Sequence, residues 1–236
     1  MRSFRFGCAL VVAAVALPLQ GLNAQAPAAA ARVPDMQAIA SALGVTCEFC
    51  HAAGRGSPPA LTATGKPRLD VAREMIAMTN ELNARVPSAA GKAPAAAVRV
   101  DCVTCHRGVT IPRQLRDLLL DTTVRQGADA AVAQYRDLRE RYYGRQSYDF
   151  GEQTLLDVAD RLAQGRPADA VALADLNIEF YPRSARSYLV RGIAQSRRLD
   201  TVEDAIASFR RVLELDPGNG VAQGWLIQTE QLRGRR

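Results

Sequence analysis

Two short segments hold the side chains best suited to chemistry. They read CEFCH over residues 47–51 and CVTCH over residues 102–106. Each sets two thiols three positions apart, Cys47 with Cys50 and Cys102 with Cys105, and follows the second with an imidazole, His51 or His106. The chain has five cysteines and two histidines. Cys8 lies in an amino-terminal stretch that reads as removable, so the motifs use every other cysteine and both histidines. A disulfide within C-x-x-C would close a tiny loop and add little stability. A four-ligand zinc site could draw on both pairs but needs no histidine beside each. Covalent haem attachment accounts for all the residues together: two thiols form thioethers with the porphyrin vinyls, and the adjacent histidine reaches the iron from the same side. The pattern points to two covalently bound haem c groups, with His51 and His106 as proximal iron ligands.

With both histidines so employed, no imidazole remains for the opposite face of either iron, and methionine is the next candidate. Beyond the initiator there are three: Met36, Met75 and Met78. Residues 34–44 read as a short helix, with Pro34 in its first turn, Asp35 at the positive end of the dipole, Met36, Ile39 and Leu43 along one stripe and Gly44 just past its end. Residues 66–85 read as a longer helix with Val71, Met75, Met78 and Leu82 on one face. Spacing alone does not choose between Met75 and Met78, and a methionine at helical spacing is more often packing than ligand.

The phrases MQAIASALGVTCEFCH, AREMIAMTNELN and DCVTCHRGVTIP, within residues 33–112, resemble the multihaem cytochrome c subunit of photosynthetic reaction centres, in particular one half of that tetrahaem protein. The resemblance implies a helix ahead of each C-x-x-C-H, with a methionine of that helix as distal ligand at three of the four haems. Met36 then takes that place for the first motif. Met75, the first methionine of AREMIAMT, takes it for the second, with Met78 as its non-ligating neighbour and the alternative. The chain departs from the pattern in having two motifs rather than four, no histidine for a bis-histidine haem, and a longer segment, VPSAAGKAPAAAVRV, before Cys102.

The elements that must position these residues are helical. No stretch alternates as a strand would, so the expected fold is all-α. Arg2 and Arg5, a 12-residue apolar run at 8–19 too short to span a bilayer, and small residues near Ala24 form an export signal over residues 1–24. The mature chain is expected in the periplasm or otherwise outside the cytoplasm. Its cleavage leaves 28 basic against 24 acidic residues, about +4, in a scattered pattern that is no nucleic-acid footprint. Residues 25–33 read as a flexible linker, 34–116 as a dihaem cytochrome c domain, 117–150 as a helical connector or degenerate repeat, and 151–236 as a tetratricopeptide-repeat-like domain.

The last assignment rests on two stretches 35 residues apart, PADAVALADLNIEFYP at 167–182 and VEDAIASFRRVLELDP at 202–217. They share Asp169/Asp204, Ala170/Ala205, Ala172/Ala207, Glu179/Glu214 and Pro182/Pro217. A closing helix around residues 221–232 would cap the stack and bury Trp225.

Electron transfer between unidentified redox partner proteins is the expected function, with the repeats docking a partner or bracing the haem domain; membrane association is left open. One open iron would instead make a peroxidase or ligand sensor, but no spare histidine is present as distal acid–base group. A scaffold in which the haems are only structural is the third reading.

Overall fold

The computed structural model describes residues 35–51 and 67–234. The expected signal peptide, the linker at 25–33 and the loop at 52–65 lie outside the described residues. Among those described there are ten α-helices and no strand, so the fold is all-α. In chain order they are α1 (Met36–Leu43), α2 (Pro67–Ala89), α3 (Cys102–Cys105), α4 (Leu115–Gln126), α5 (Ala128–Tyr142), α6 (Glu152–Leu162), α7 (Pro167–Phe180), α8 (Ala185–Gln195), α9 (Val202–Leu215) and α10 (Gly220–Arg233).

α4 packs on α5, consecutive helices from α6 to α10 pack against one another, and α4 and α5 lie on α6 and α7 respectively. The shared core runs from Leu115 and Leu119 of α4 through Tyr135 of α5 to Leu155, Leu173 and Val190 of the following helices. The sequence boundary expected between residues 116 and 117 falls inside the first turn of α4, whose Leu115 belongs to this core.

The 35-residue period governs where helices start and stop. α9 begins and ends 35 residues after α7, and α10 begins 35 residues after α8. The caps repeat as well: Ser184 Oγ accepts the Ser187 N–H and Asn219 Oδ1 accepts the Ala222 N–H, each at 3.0 Å. Ala170 and Ala205 are fully buried where helices meet, whereas Ala207 is exposed. The aligned glutamates take different partners. Glu179 grips Arg136 of α5 through two hydrogen bonds of 2.6 and 2.7 Å, while Glu214 pairs with Arg211 of its own helix. Both pairs are exposed and contribute little to stability.

Trp225 is half-buried rather than buried. It stacks on Phe209 at 6.1 Å between ring centroids. α10 ends the described chain and packs chiefly on α9, and the Arg197 guanidinium lies 5.8 Å from the indole centroid. The connection from α5 to α6 is an aromatic corner: Tyr135, Phe150 and Phe180 pack at 5.6 Å, and the Arg139 guanidinium lies 4.2 Å from the Phe180 ring.

The amino-terminal elements are built differently. α1 is capped by the Asp35 carboxylate, which accepts the Gln37 N–H at 2.9 Å, and ends on Gly44 in the left-handed region (φ 65°). α2 runs past the expected residue 85 to Ala89, with Pro87 inside its last turns. The segment after it is pinned back to the helix by Asn83, whose side chain donates to the Val100 carbonyl and accepts the Val100 N–H, both at 2.8 Å. The apolar stripe expected along one face of α2 is largely uncovered by protein: Val71, Met78 and Leu82 are exposed. α1, α2 and α3 together bury few apolar side chains, chiefly Ala42 and Leu69.

Two substitutions test this packing. A Cβ on Gly192 of α8 would meet the buried Phe209 ring at 2.7 Å, so Gly192→Val lowers stability by about 1–3 kcal/mol in thermal melts. Asn83→Ala removes two hydrogen bonds and speeds exchange of the Val100 amide; an unchanged rate would show that the segment is held by other contacts.

Candidate functional site

Each C-x-x-C-H motif is folded as a single helical turn. The His51 N–H donates to the Cys47 carbonyl and the His106 N–H to the Cys102 carbonyl, both at 3.0 Å. Residues i, i+3 and i+4 of such a turn share a face, so local backbone geometry aims both thiols and the imidazole the same way. The second motif gains a further tie, the Asp101 N–H donating to Thr104 Oγ1 at 3.0 Å. Cys47, Cys50, Cys102 and Cys105 are unpaired thiols. Among the described residues no three His, Cys, Asp or Glu side chains converge as a metal cluster, so the two cysteine pairs are not gathered into one four-ligand site.

A cavity of about 570 Å³ opens between α1, α2 and the segment from Cys102 to Pro112. Its wall is apolar, with Ile39 and Leu43 from α1, Val71 and Ile76 from α2, and Ile111 beyond α3. Into it come His106, Cys102, Met75 and, from the first motif, Cys50. Arg68 brings a cation to the wall and lies 4.2 Å over the Phe49 ring, tying α2 to the first motif. Burial pushes the Cys102 thiol up from its usual range, the charges of Asp101 and Cys105 add to this, and a backbone hydrogen bond opposes it.

His106 is buried, and its Nδ1 lies 3.0 Å from the Val109 carbonyl. A carbonyl only accepts, so Nδ1 carries the proton and Nε2 presents its lone pair. That is the arrangement an iron-binding imidazole requires. His51 is buried too, but among the described residues its Nδ1 has no hydrogen-bond partner, and His51 does not line this cavity.

The remaining predicted residues fall outside it. Met36 is 42% exposed at the start of α1, and Met78 is 46% exposed on α2. Cys47 is exposed, and Cys105 borders a second cleft of about 390 Å³ with Arg107, Arg113 and Tyr148. Met75 and Met78, which spacing left equivalent, are thus in different surroundings: Met75 lines the cavity and Met78 does not. Sequence reasoning missed the Val109 carbonyl, because a backbone acceptor has no residue signature. The Arg-Gly pair after His106 was the available signal, since Gly often marks a turn.

The residues present fit a covalently held haem. The cavity is of ligand size, its wall is apolar, a tautomer-fixed imidazole and a thioether face into it, and thiols sit at its edge. An apolar group in that space would also supply the core that α1, α2 and α3 lack.

Among the described residues no helix is long and apolar enough to cross a membrane. No curated protein matches the chain. Residues 57–144 match the family described as photosynthetic reaction centre cytochrome C subunit. The match takes in α2, the second motif, α4 and α5, and stops short of the first motif and of the helices from α6 on. Over those residues the chain is similar to that cytochrome family.

Proposed function

We propose that the protein is an exported dihaem c-type cytochrome that carries electrons between redox partner proteins, with helices α6–α10 serving as a tetratricopeptide-like module for docking or bracing. The observation that carries this reading is the His106 imidazole, buried, fixed by Val109 with Nε2 free, and facing the same apolar cavity as Cys102 and Met75. Export rests on the amino-terminal signal pattern over residues 1–24.

In this reading Cys102 and Cys105 hold one haem c, with His106 and Met75 as its iron ligands. Cys47, Cys50 and His51 hold the other, and the resemblance to the reaction-centre cytochrome subunit gives Met36 as its distal ligand. Bound haem supplies a one-electron ferric/ferrous couple. The chain's own work is to hold and tune. The Nδ1–H to Val109 hydrogen bond orients the imidazole and raises its donor strength. The thioether of Met75 is a weaker donor than a second imidazole, which favours a higher potential. Ile39, Leu43, Val71 and Ile76 give the site an apolar wall. No side chain has to move a proton, in keeping with the lack of any histidine beyond the two in the motifs.

Pyridine haemochrome spectroscopy on the exported protein measures haem per chain; two are expected, and none would remove the reading. Met75→Ala should give a high-spin iron that binds cyanide, with a lowered potential at one site only. Met78→Ala should leave the spectrum unchanged and cost less than about 1 kcal/mol, as for a surface position. Equal spectral changes in the two variants would overturn the ligand assignment.

A further inference from the structure

The turn that follows the second motif is strained and is held from two directions. The Val109 N–H donates to the His106 carbonyl at 3.0 Å, closing a four-residue turn. Both central residues, Arg107 (φ 48°) and Gly108 (φ 87°), have left-handed backbone. Two successive positive φ values characterise a type I′ turn, where Asn-Gly or Gly-Gly is usual. Arginine at the first position is disfavoured by its Cβ, and such a residue persists where its surroundings over-determine it.

Two contacts do so. On one side the Gly108 N–H donates to the Ala42 carbonyl of α1 at 2.7 Å, an approach so close that a Cβ on Gly44 would fall 2.2 Å from the Gly108 oxygen. On the other, Ser147 Oγ donates to the Arg107 carbonyl at 2.6 Å. Ser147 stands in the α5–α6 connection, 40 residues on and just past the segment matched by the cytochrome family. The last residue of the turn is Val109, whose carbonyl accepts from His106 Nδ1. Whatever sets the turn therefore also sets the one hydrogen bond that the described residues make to that imidazole.

We propose that Ser147 is a positioning residue for His106: by holding the Arg107 carbonyl it keeps the strained turn where the Val109 carbonyl meets the imidazole N–H. The α5–α6 connection thus tunes the second haem site, a consequence that rests on the cytochrome reading above. A firm Nδ1–H···O=C bond makes the imidazole a stronger donor and favours ferric iron, so loosening it raises the potential.

The test follows the His106 Nδ1 proton by NMR in the reduced protein as isolated, comparing wild type, Ser147→Ala and Ser147→Thr. Exchange should be about three- to tenfold faster in Ser147→Ala, the range set by loss of one hydrogen bond, and should return towards wild type in Ser147→Thr. In the same samples one potential should rise in Ser147→Ala while the other stays. Unchanged exchange overturns the proposal. So does a lower melting temperature with both the exchange and the potentials unmoved, since that marks a purely structural serine. The exchange measurement does not depend on haem stoichiometry. A haem-free protein would defeat the cytochrome reading, while the His106 proton would still decide the role of Ser147.

Discussion

The amino-terminal elements depend on one close backbone approach, that of Gly44 at the end of α1 to Gly108 just past α3. There is no room for a Cβ between them, and the Gly108 N–H reaches back to the Ala42 carbonyl. This contact joins two pieces far apart in sequence and each too short to fold alone: α1 has eight residues and α3 four. With them joined, Ile39 and Leu43 of α1 face His106 across one cavity, and α2 closes the third side. Glycine at position 44 is a steric demand, and at both positions, with φ 65° and 87°, a conformational one.

The two parts of the chain bury apolar surface by different means. The helices from α4 onward do it against each other, each pair covering the next, with small residues such as Ala170, Gly192 and Ala205 where helices come close. This mode needs nothing but protein, and the period of 35 residues follows from repeating one supersecondary unit. α1, α2 and α3 instead turn their apolar side chains towards a shared space. Numerous arginine–carboxylate pairs decorate the surface, and those exposed on both sides bear on solubility and register more than on stability.

The two C-x-x-C-H turns are alike in backbone and unlike in surroundings. His106 has a carbonyl on Nδ1 and a turn held by two other elements; His51 has a buried Nδ1 without a described partner. Identical motifs therefore do not imply identical donor strength, because that is decided by what lies behind the imidazole.

Much of this was legible in the amino-acid sequence, and the reason is that local physics carried it. Motif spacing set the thiols beside the imidazole, Asp35 and Gly44 bounded α1, and the repeated alanines and proline marked the helix pairs. The helical period also placed Met75 and Met78 on α2, but it stopped there. Which of them lines a cavity depends on where α1 and α3 lie, and that is a relation between segments tens of residues apart. The same holds for the Val109 carbonyl, for Ser147 bonded to the Arg107 carbonyl, and for Trp225 left half-covered at the end of the stack. Backbone acceptors and long-range neighbours leave no periodic trace in a sequence; they exist only once the chain has closed on itself, so the tertiary structure alone decided them.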